Sequence, residues 1–324
     1  MLQTAVMSTA SDATTASEEE APSKVPSVVG CFRTTSFISA GAFGSIWLGE
    51  DTRRGTPVAI KFESVEVHPP QLQFEINVYR SIQHMKPVLG FAKMLHHGTE
   101  QGYNFLVMTR LGKPLDTLLE EVLSTRPTGT LGHAGGLSFK TGLMLADQAL
   151  QRLQTLHDKG FIHRDLKPGN FMMGHGPYAP VLHLIDFGMA KPYVDKAGNH
   201  IAMSDRNFII GTTMFMSINI HHSRRLGRRD YLENLGYVLL FLMKGSLPWM
   251  GMDHMATLAK KEEIDLDTLC LGLPPFFREL MEHARALEFE ARPNYKQLRR
   301  SIHTALAALG EAYDLQYDWT TTDR

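Results

Sequence analysis

Short apolar segments with alternating polar neighbours follow one another in the first third of the chain. Ile46 and Leu48 alternate with polar residues, a turn signal follows at residues 53–55, and residues 58–62 (Val-Ala-Ile-Lys-Phe) form the next apolar run. Alternation with a period of two is typical of half-buried β-strands. Residues 103–108 repeat the pattern, so we predict a β-rich front part that begins near Val28.

One segment of this front part has a mixed spacing instead. Leu72, Phe74, Ile76 and Tyr79 follow a pair of prolines at residues 69–70. Proline is favoured at the start of a helix, so we interpret the segment as a helix.

Helical spacing dominates after Gly112. Phe139–Asp158 is a long helix candidate, and its apolar positions are occupied by Leu143, Leu145, Leu150, Leu153 and Leu156. We predict further helices over residues 231–243, 255–263, 276–286 and 295–309. A strand-rich front and a helix-rich back indicate an α+β fold of two lobes, with a cleft between them where ligands usually bind.

Composition marks the limits of the folded part. Residues 1–26 are rich in Ser, Thr, Ala and Glu and contain almost no large apolar side chains, so we predict a disordered N-terminal extension. The folded part spans residues 27–319, with lobes of about 27–111 and 112–319, and residues 320–324 form a short tail. The Gly/Thr-rich residues 128–136 are predicted to form a surface loop.

Bulk composition excludes several classes of protein. With 324 residues, 43% of them hydrophobic, the chain can bury a large core, and a net charge of −1 gives no electrostatic case for nucleic acid or an anionic membrane. The N-terminus lacks a secretory pattern, and the most apolar run, residues 237–243, is too short to span a bilayer. Two distant cysteines favour free thiols, so we expect a soluble intracellular protein. The histidine pairs lack partners at zinc-ligand spacing.

Two strings in the second half carry the chemistry. Residues 163–170 read His-Arg-Asp-Leu-Lys-Pro-Gly-Asn, and residues 186–188 read Asp-Phe-Gly. Together they match what phosphoryl transfer from a nucleotide requires. We interpret Asp165 as the base that accepts the hydroxyl proton, Lys167 as the cation near the γ-phosphate, and Asn170 and Asp186 as oxygen ligands of Mg²⁺.

The front part supplies a matching nucleotide site. Residues 39–44 (Ser-Ala-Gly-Ala-Phe-Gly) lie between two predicted strands, where small residues let backbone N–H groups approach phosphates. Lys61 on the following strand would bind the α- and β-phosphates of ATP. Glu75, flanked by Phe74 and Ile76 on the predicted helix, would hold Lys61 in place. The alternatives are a structural Gly-rich hairpin and an exposed lysine on an edge strand.

Downstream of the Asp-Phe-Gly string the chain has Gly211-Thr212 followed by Met-Ser-Ile-Asn at residues 216–219. Other short motifs lie at residues 111–112, 145–148, 228–230, 235–237, 245–249 and 317–319. With these residues the chain resembles, over about residues 30 to 319, the casein kinase I group of Ser/Thr protein kinases, in which the segment at 211–219 stands in place of the Ala-Pro-Glu of most kinases.

The resemblance implies a bilobal protein kinase fold with ATP in the cleft and Gly41 and Gly44 in the phosphate loop. Ile38, Ile46 and Ala59 would cover the adenine, with Met172 and Ile185 beneath it. Met108 would be the gatekeeper, and backbone groups of Thr109 and Leu111 would bind the adenine edge. Substrates would be proteins with Ser/Thr sites preceded by acidic or already phosphorylated residues. We expect a monomer in the cytoplasm, with the nucleus as a second compartment.

Departures from the family pattern qualify this picture. Ser39 replaces the first loop glycine, which should weaken nucleotide binding modestly. Met214 replaces an arginine that helps to bind anionic substrates, whereas Lys260, Arg164 and Lys191 match other basic positions. We therefore expect a preference for acidic sites without phosphate priming. Residues 128–136 enlarge a connection that is shorter in the family.

Tyr231 is the remaining departure, since it stands where the family has an aspartate that accepts N–H bonds from the catalytic loop. Asp230 could substitute if the helix starts one residue earlier. Our hypothesis is a catalytic loop that is looser than usual but still assembled, so Tyr231→Asp should raise thermal stability or turnover. The alternatives to an active kinase are a nucleotide-binding pseudokinase that acts as a scaffold and, less in keeping with Lys167, a small-molecule kinase.

Overall fold

The computed structural model describes residues 25–41, 44–84, 86–125, 135–204 and 209–320. Most of the predicted disordered extension, the predicted tail and the predicted loop at 128–136 therefore lie outside the described residues. Within the described ranges, no helix combines the length and the apolar character needed to cross a membrane.

The front part is an antiparallel six-stranded sheet with the strand order β1-β2-β3-β4-β6-β5. Its strands are β1 (Val28–Val29), β2 (Phe32–Gly41), β3 (Gly44–Asp51), β4 (Thr56–Ser64), β5 (Met94–Glu100) and β6 (Tyr103–Thr109). Helix α1 (Leu72–Ile82) connects β4 to β5. The strands predicted around residues 46–48, 58–62 and 103–108 and the helix predicted after the proline pair are confirmed.

The side chains of β4 alternate between an apolar face, which packs in the core of the sheet, and a charged face, which bonds to α1. Val58, Ile60 and Phe62 are buried in the apolar core of the sheet. Lys61, which lies between Ile60 and Phe62, and Glu63, which follows Phe62, are buried as well, and both of them bond to the α1 region. Because successive side chains of a strand point to opposite faces, β4 has an apolar face and a charged face.

The back part is helical. Its helices are α2 (Leu115–Thr125), α3 (Phe139–Asp158), α4 (Ile218–His221), α5 (Arg228–Lys244), α6 (His254–Glu263), α7 (Leu266–Leu269), α8 (Pro275–Ala286) and α9 (Tyr295–Ala308). Short strands form two antiparallel pairs, β7 (Phe161–Ile162) with β10 (Lys191–Pro192) and β8 (Phe171–Met173) with β9 (Leu182–Leu184). The α3 prediction matches both ends, whereas α5 begins three residues before the predicted start. Helix α2 and the four-residue helices α4 and α7 were not predicted.

Helices α3 and α5 form the centre of the helical part, and residues 141–150 and 230–240 are buried without interruption. Ser138 caps α3 by accepting a hydrogen bond from the N–H of Thr141. Asp318 near the C-terminus accepts from the N–H of Ser138 at 2.6 Å and from the hydroxyl of Thr141 at 2.7 Å. The start of the central helix is therefore fastened to the last described segment of the chain.

The start of α5 shows that Asp230 organises the region around Tyr231. Asp230 is fully buried, and it accepts hydrogen bonds from the N–H of Gly227 at 2.7 Å and from Asn219 Nδ2 at 2.9 Å. Ser217 Oγ lies 3.3 Å away. Tyr231 is itself fully buried in the apolar core. The earlier start of α5 thus gives Asp230 a capping role, although its bonds go to residues 217–227 and not to the catalytic loop.

The burial of Tyr231 reverses the expected effect of Tyr231→Asp. The change would remove one of the largest fully buried side chains and place a second carboxylate beside buried Asp230. We expect a loss of about 3–5 kcal/mol in the free energy of unfolding, because a cavity and an uncompensated charge both destabilise a core. Urea unfolding measures the loss, and Tyr231→Phe, which keeps the ring, is the matched control. Equal stability of Tyr231→Asp and wild type would contradict the expectation.

Buried histidines make the folding stability depend on pH. His157, in the last turn of α3, shares a hydrogen bond with the hydroxyl of Tyr295 on α9, and Tyr193 donates to its carbonyl oxygen at 2.7 Å. Burial lowers the pKa of His157 to about 3. The imidazole is therefore neutral in the folded protein at pH values where it takes up a proton in the unfolded chain.

We expect the free energy of unfolding to fall as the pH is lowered from about 6.5 towards 3, because the unfolded state binds more protons in that window. Each buried neutral histidine contributes up to about 1.4 kcal/mol per pH unit. His157→Phe should flatten the dependence by about one such contribution, as measured by urea unfolding between pH 4 and 7. The exposed His175→Phe is the control, and an unchanged slope in His157→Phe would refute the assignment.

Candidate active site

A buried lysine joins three parts of the chain at the cleft. Lys61 Nζ on β4 lies 2.8 Å from Glu75 Oε2 on α1 and 3.0 Å from Asp186 Oδ1, which follows β9. Lys61 and Glu75 are both buried. Burial alone would lower the pKa of Lys61, but the two carboxylates outweigh it and raise that pKa, so the ammonium stays charged. The sequence-predicted Lys61–Glu75 pair is therefore formed.

Phe187 stabilises the position of Glu75 through both its backbone and its aromatic ring. Its backbone N–H donates to Glu75 Oε1 at 3.2 Å. Its ring packs against Tyr79 of α1 with a centroid separation of 5.0 Å, and against His163 at 5.5 Å. Glu75 thus bonds to Lys61 through one oxygen and to the Asp-Phe-Gly segment through the other, which ties α1 to the helical part.

The loop that follows β7 presents Asp165 to the cleft. His163 Nε2 lies 2.9 Å from the carbonyl oxygen of Ile185, and the N–H of Asp165 donates to His163 Nδ1 at 3.3 Å. Burial lowers the pKa of His163, so the ring is neutral and can accept at Nδ1 while it donates at Nε2. Arg164 adopts φ +73° and donates through Nε to the carbonyl oxygen of Met189. The catalytic-loop backbone is therefore held by the side chains of the two residues that precede Asp165.

Both carboxylate oxygens of Asp165 have partners. Oδ1 accepts from the N–H of Thr212 at 3.1 Å and from its hydroxyl at 2.9 Å. Oδ2 lies 3.2 Å from Lys167 Nζ. Thr212 belongs to the Gly-Thr pair already identified in the sequence, but its direct contact with Asp165 was not predicted. The structure thereby joins the substrate-side loop to the residue predicted to be the base.

The two predicted metal ligands offer suitable oxygen atoms. Asn170 Nδ2 donates to the carbonyl oxygen of Asp165 at 2.8 Å, so its Oδ1 is oriented away from that bond. Asp186, at φ +61°, uses Oδ1 for Lys61, which leaves Oδ2 for a cation. Burial would raise the pKa of Asp186, but Lys61 outweighs it and the pKa is lowered. An ionised carboxylate and an amide oxygen are ligands that Mg²⁺ accepts.

The predicted adenine pocket is assembled from neighbouring strands. Residues of β3, β4 and β6 are paired in register: Ile46 with Lys61, and Ala59 with Met108. The N–H of Thr109 already donates to the carbonyl oxygen of Lys93 at 3.0 Å, so only its carbonyl group remains for an adenine edge.

Other elements carry the residues predicted to lie beneath the adenine and those of the phosphate loop. Met172 on β8 bridges to Pro114, just beyond Leu111 and the end of β6. Ile185 directly precedes Asp186. Gly41 pairs with Gly44 at the tip of the β2–β3 hairpin, whose Ala42 and Phe43 lie outside the described residues. Ile38 on β2 is half exposed.

These observations agree with a comparison against known protein families. The sequence model of the protein kinase domain matches residues 32–300. The chain belongs to the protein kinase family. The matched range includes strands β2 to β6 of the sheet, the cleft and most of the helical part, so the predicted bilobal α+β kinase fold is confirmed.

The substrate side of this kinase domain rests on a second buried lysine. Lys261 Nζ on α6 donates to the carbonyl oxygens of Thr213 at 3.1 Å and Met216 at 2.8 Å, and it lies 5.1 Å from the ring centroid of Trp249. Burial lowers the pKa of Lys261 to about 7. Trp249 Nε1 donates to the carbonyl oxygen of Met214 at 2.8 Å. The backbone of residues 213–216 is thus held in place by hydrogen bonds from the buried side chains of Lys261 and Trp249.

We expect Thr212→Val to lower kcat by about 10–100-fold, because it removes a hydrogen bond to a charged carboxylate beside the reacting groups. The KM for ATP should change little, since Thr212 bonds to Asp165 and not to the nucleotide side of the cleft. Steady-state phosphorylation kinetics measure both constants, and Thr212→Ser, which keeps the hydroxyl, should recover most of the activity. A wild-type kcat in Thr212→Val would show that the bond is dispensable.

Proposed function

We propose that this kinase domain is a catalytically active Ser/Thr protein kinase resembling casein kinase I, which transfers the γ-phosphoryl group of MgATP to protein hydroxyls. The observation that carries the proposal is the position of Lys61 between Glu75 and Asp186, at 2.8 and 3.0 Å. Kinase catalysis requires that lysine–glutamate pair and the metal-binding aspartate to be in place together.

Each residue of the cleft then has a defined task. Lys61 would bind the α- and β-phosphates, and Glu75 would keep its ammonium directed at them. Asp165 Oδ2 would orient the incoming hydroxyl and accept its proton, an assistance typically worth about 10²–10⁴-fold. Lys167, 3.2 Å from that oxygen, would offset negative charge on the moving phosphoryl group.

Mg²⁺ held by Asn170 and Asp186 would supply charge neutralisation between the phosphates. The N–H of Ile185 donates to the carbonyl oxygen of Asn170 at 3.0 Å. That bond sets the two segments that carry the proposed metal ligands side by side.

We further propose that substrates carry acidic residues near the phosphorylated Ser or Thr and need no priming phosphate. Met214 supplies no charge to the segment at residues 213–216. Lys260 on α6 pairs with Glu263 at 2.9 Å, which reduces the positive charge it can offer. Support for acidic recognition comes from Arg164, two residues after β7, and from Lys191 on β10, because the pairing of Lys191 with Ile162 of β7 brings the two basic residues into the same region.

The second candidate is a pseudokinase that binds nucleotide and acts as a scaffold. It is favoured by Ser39, which replaces a loop glycine on β2, and by Tyr231 in the core of α5. Against it stands the complete set of Lys61, Asp165, Asn170 and Asp186, since loss of catalysis in a kinase fold usually removes one of these groups.

Phosphate transfer from labelled MgATP to casein tests the proposal, with wild type beside Asp186→Asn. We expect transfer by wild type and at least about a 10²-fold loss in the mutant, because the neutral side chain neither holds the cation nor pairs with Lys61. Peptides with acidic residues or alanines before one serine form the second arm, and the acidic peptide should be preferred.

Folded wild-type protein that transfers no phosphate would exclude the active kinase. A shift in melting temperature with MgATP in that protein would then favour the scaffold. Equal use of the two peptides would leave the kinase assignment intact and remove only the acidic preference.

A further inference from the structure

The carboxylate on the charged face of β4, that of Glu63, has no role in the kinase mechanism described above. Glu63 follows Lys61 by two residues, so both side chains point to the same side of the sheet. Glu63 is completely buried. A carboxylate in such a position is costly unless hydrogen-bond donors surround it.

The donors around Glu63 come mainly from the beginning of α1. Glu63 Oε1 accepts from the backbone N–H of Gln71 at 2.8 Å and of Leu72 at 3.0 Å. These N–H groups belong to the N-cap and the first residue of α1, and Gln71 makes no capping bond with its own side chain. The first turn of a helix has N–H groups without partners and a partial positive charge, so a carboxylate there is stabilising.

The neighbouring strand fixes the orientation of Glu63. Asn104 stands opposite it on β6, and Asn104 Nδ2 donates to Glu63 Oε2 at 3.4 Å. Thr99 on β5 donates its hydroxyl to Asn104 Oδ1 at 2.8 Å, which directs the amide nitrogen towards Glu63. The carboxylate is therefore attached to the sheet on one side and to the helix on the other.

The beginning of α1 lies beside the active site. A Cβ placed on Gly188 of the Asp-Phe-Gly segment would be 3.6 Å from Gln71 Oε1, 3.5 Å from Asp186 Oδ1 and 3.9 Å from Glu75 Oε2. Glu75 lies one helical turn after Gln71. Movement of the first turn of α1 away from β4 would therefore carry Glu75 away from Lys61.

We propose that Glu63 is a positioning residue for phosphoryl transfer: its carboxylate anchors the first turn of α1 to β4 and thereby keeps Glu75 on Lys61. Lys61 and Glu63 attach one strand to one helix at two points, a side-chain ion pair and a backbone cap. The inference rests on the proposed kinase activity, because the position of Glu75 matters only if Lys61 binds phosphate.

Kinetics of Glu63→Ala provide the first test, carried out on the full chain well below its melting temperature. We expect kcat for peptide phosphorylation to fall by about 10–100-fold, because two hydrogen bonds to a charged group are lost. Glu63→Gln keeps an acceptor oxygen for both N–H groups and should recover most of the activity. Glu66→Ala, which removes an exposed carboxylate just after β4, is the matched control and should behave as wild type.

A double-mutant cycle with Glu75→Gln separates positioning from general stability. If Glu63 acts through Glu75, adding Glu63→Ala to Glu75→Gln should lower kcat by less than about twofold. Losses that multiply, or a kcat of Glu63→Ala within about twofold of wild type, would overturn the proposal. A purely structural role would lower the melting temperature and leave kcat of the folded protein unchanged.

Amide hydrogen exchange separates failure of this inference from failure of the proposed function. Residues of α1 should exchange faster in Glu63→Ala than in wild type or Glu66→Ala, whether or not phosphate is transferred. Unchanged protection across α1 would refute the anchoring. Absence of transfer by wild type, with faster exchange in Glu63→Ala, would refute the kinase activity and retain the anchor.

Discussion

The ammonium group of Lys61, buried between two carboxylates, is the interaction on which the rest of the cleft depends. A lone buried ammonium would be strongly destabilising, and removing one partner of a buried pair costs about 3–5 kcal/mol. Glu75 and Asp186 offset that cost only while α1 and the segment after β9 both lie against β4. The charge therefore holds three elements in one arrangement. Phe187 adds an apolar contact to the same junction, so ionic and aromatic packing favour the same geometry.

The residues predicted to do the chemistry sit on a backbone that is unfavourable without support. Arg164 and Asp186 have φ values of +73° and +61°, a region that costs side-chain-bearing residues about 1–3 kcal/mol. The bond of His163 to the carbonyl oxygen of Ile185 crosses between the two segments at 2.9 Å. Because that histidine is buried and neutral, the support does not depend on protonation near neutral pH. The bends turn Asp165 and Asp186 into one cleft although 21 positions separate them in the sequence.

On the substrate side, buried charged side chains bond to the backbone of the loops. Lys261 donates to the carbonyl oxygens of Thr213 and Met216, and Asp230 accepts from the N–H of Gly227. Such bonds are insensitive to the side chains of the loop itself. The side chain of Met214 therefore plays no part in these bonds, and Thr212 stays in contact with Asp165.

The sequence by itself determined the fold class and most elements, and it named the side chains that the structure gathers at the cleft, because each depends on local pattern or on motifs with fixed spacing. The alternation in β4 and the leucines on the apolar positions of α3 required only neighbours along the chain. Tertiary structure decided what depends on distant partners. The N–H of Thr109 donates to the carbonyl oxygen of Lys93. Asp230 at the start of α5 accepts a hydrogen bond from Asn219, which only folding brings into contact with it. The position of Glu63 beneath the first turn of α1 has no local signature, since its meaning arises only when the helix packs on the strand.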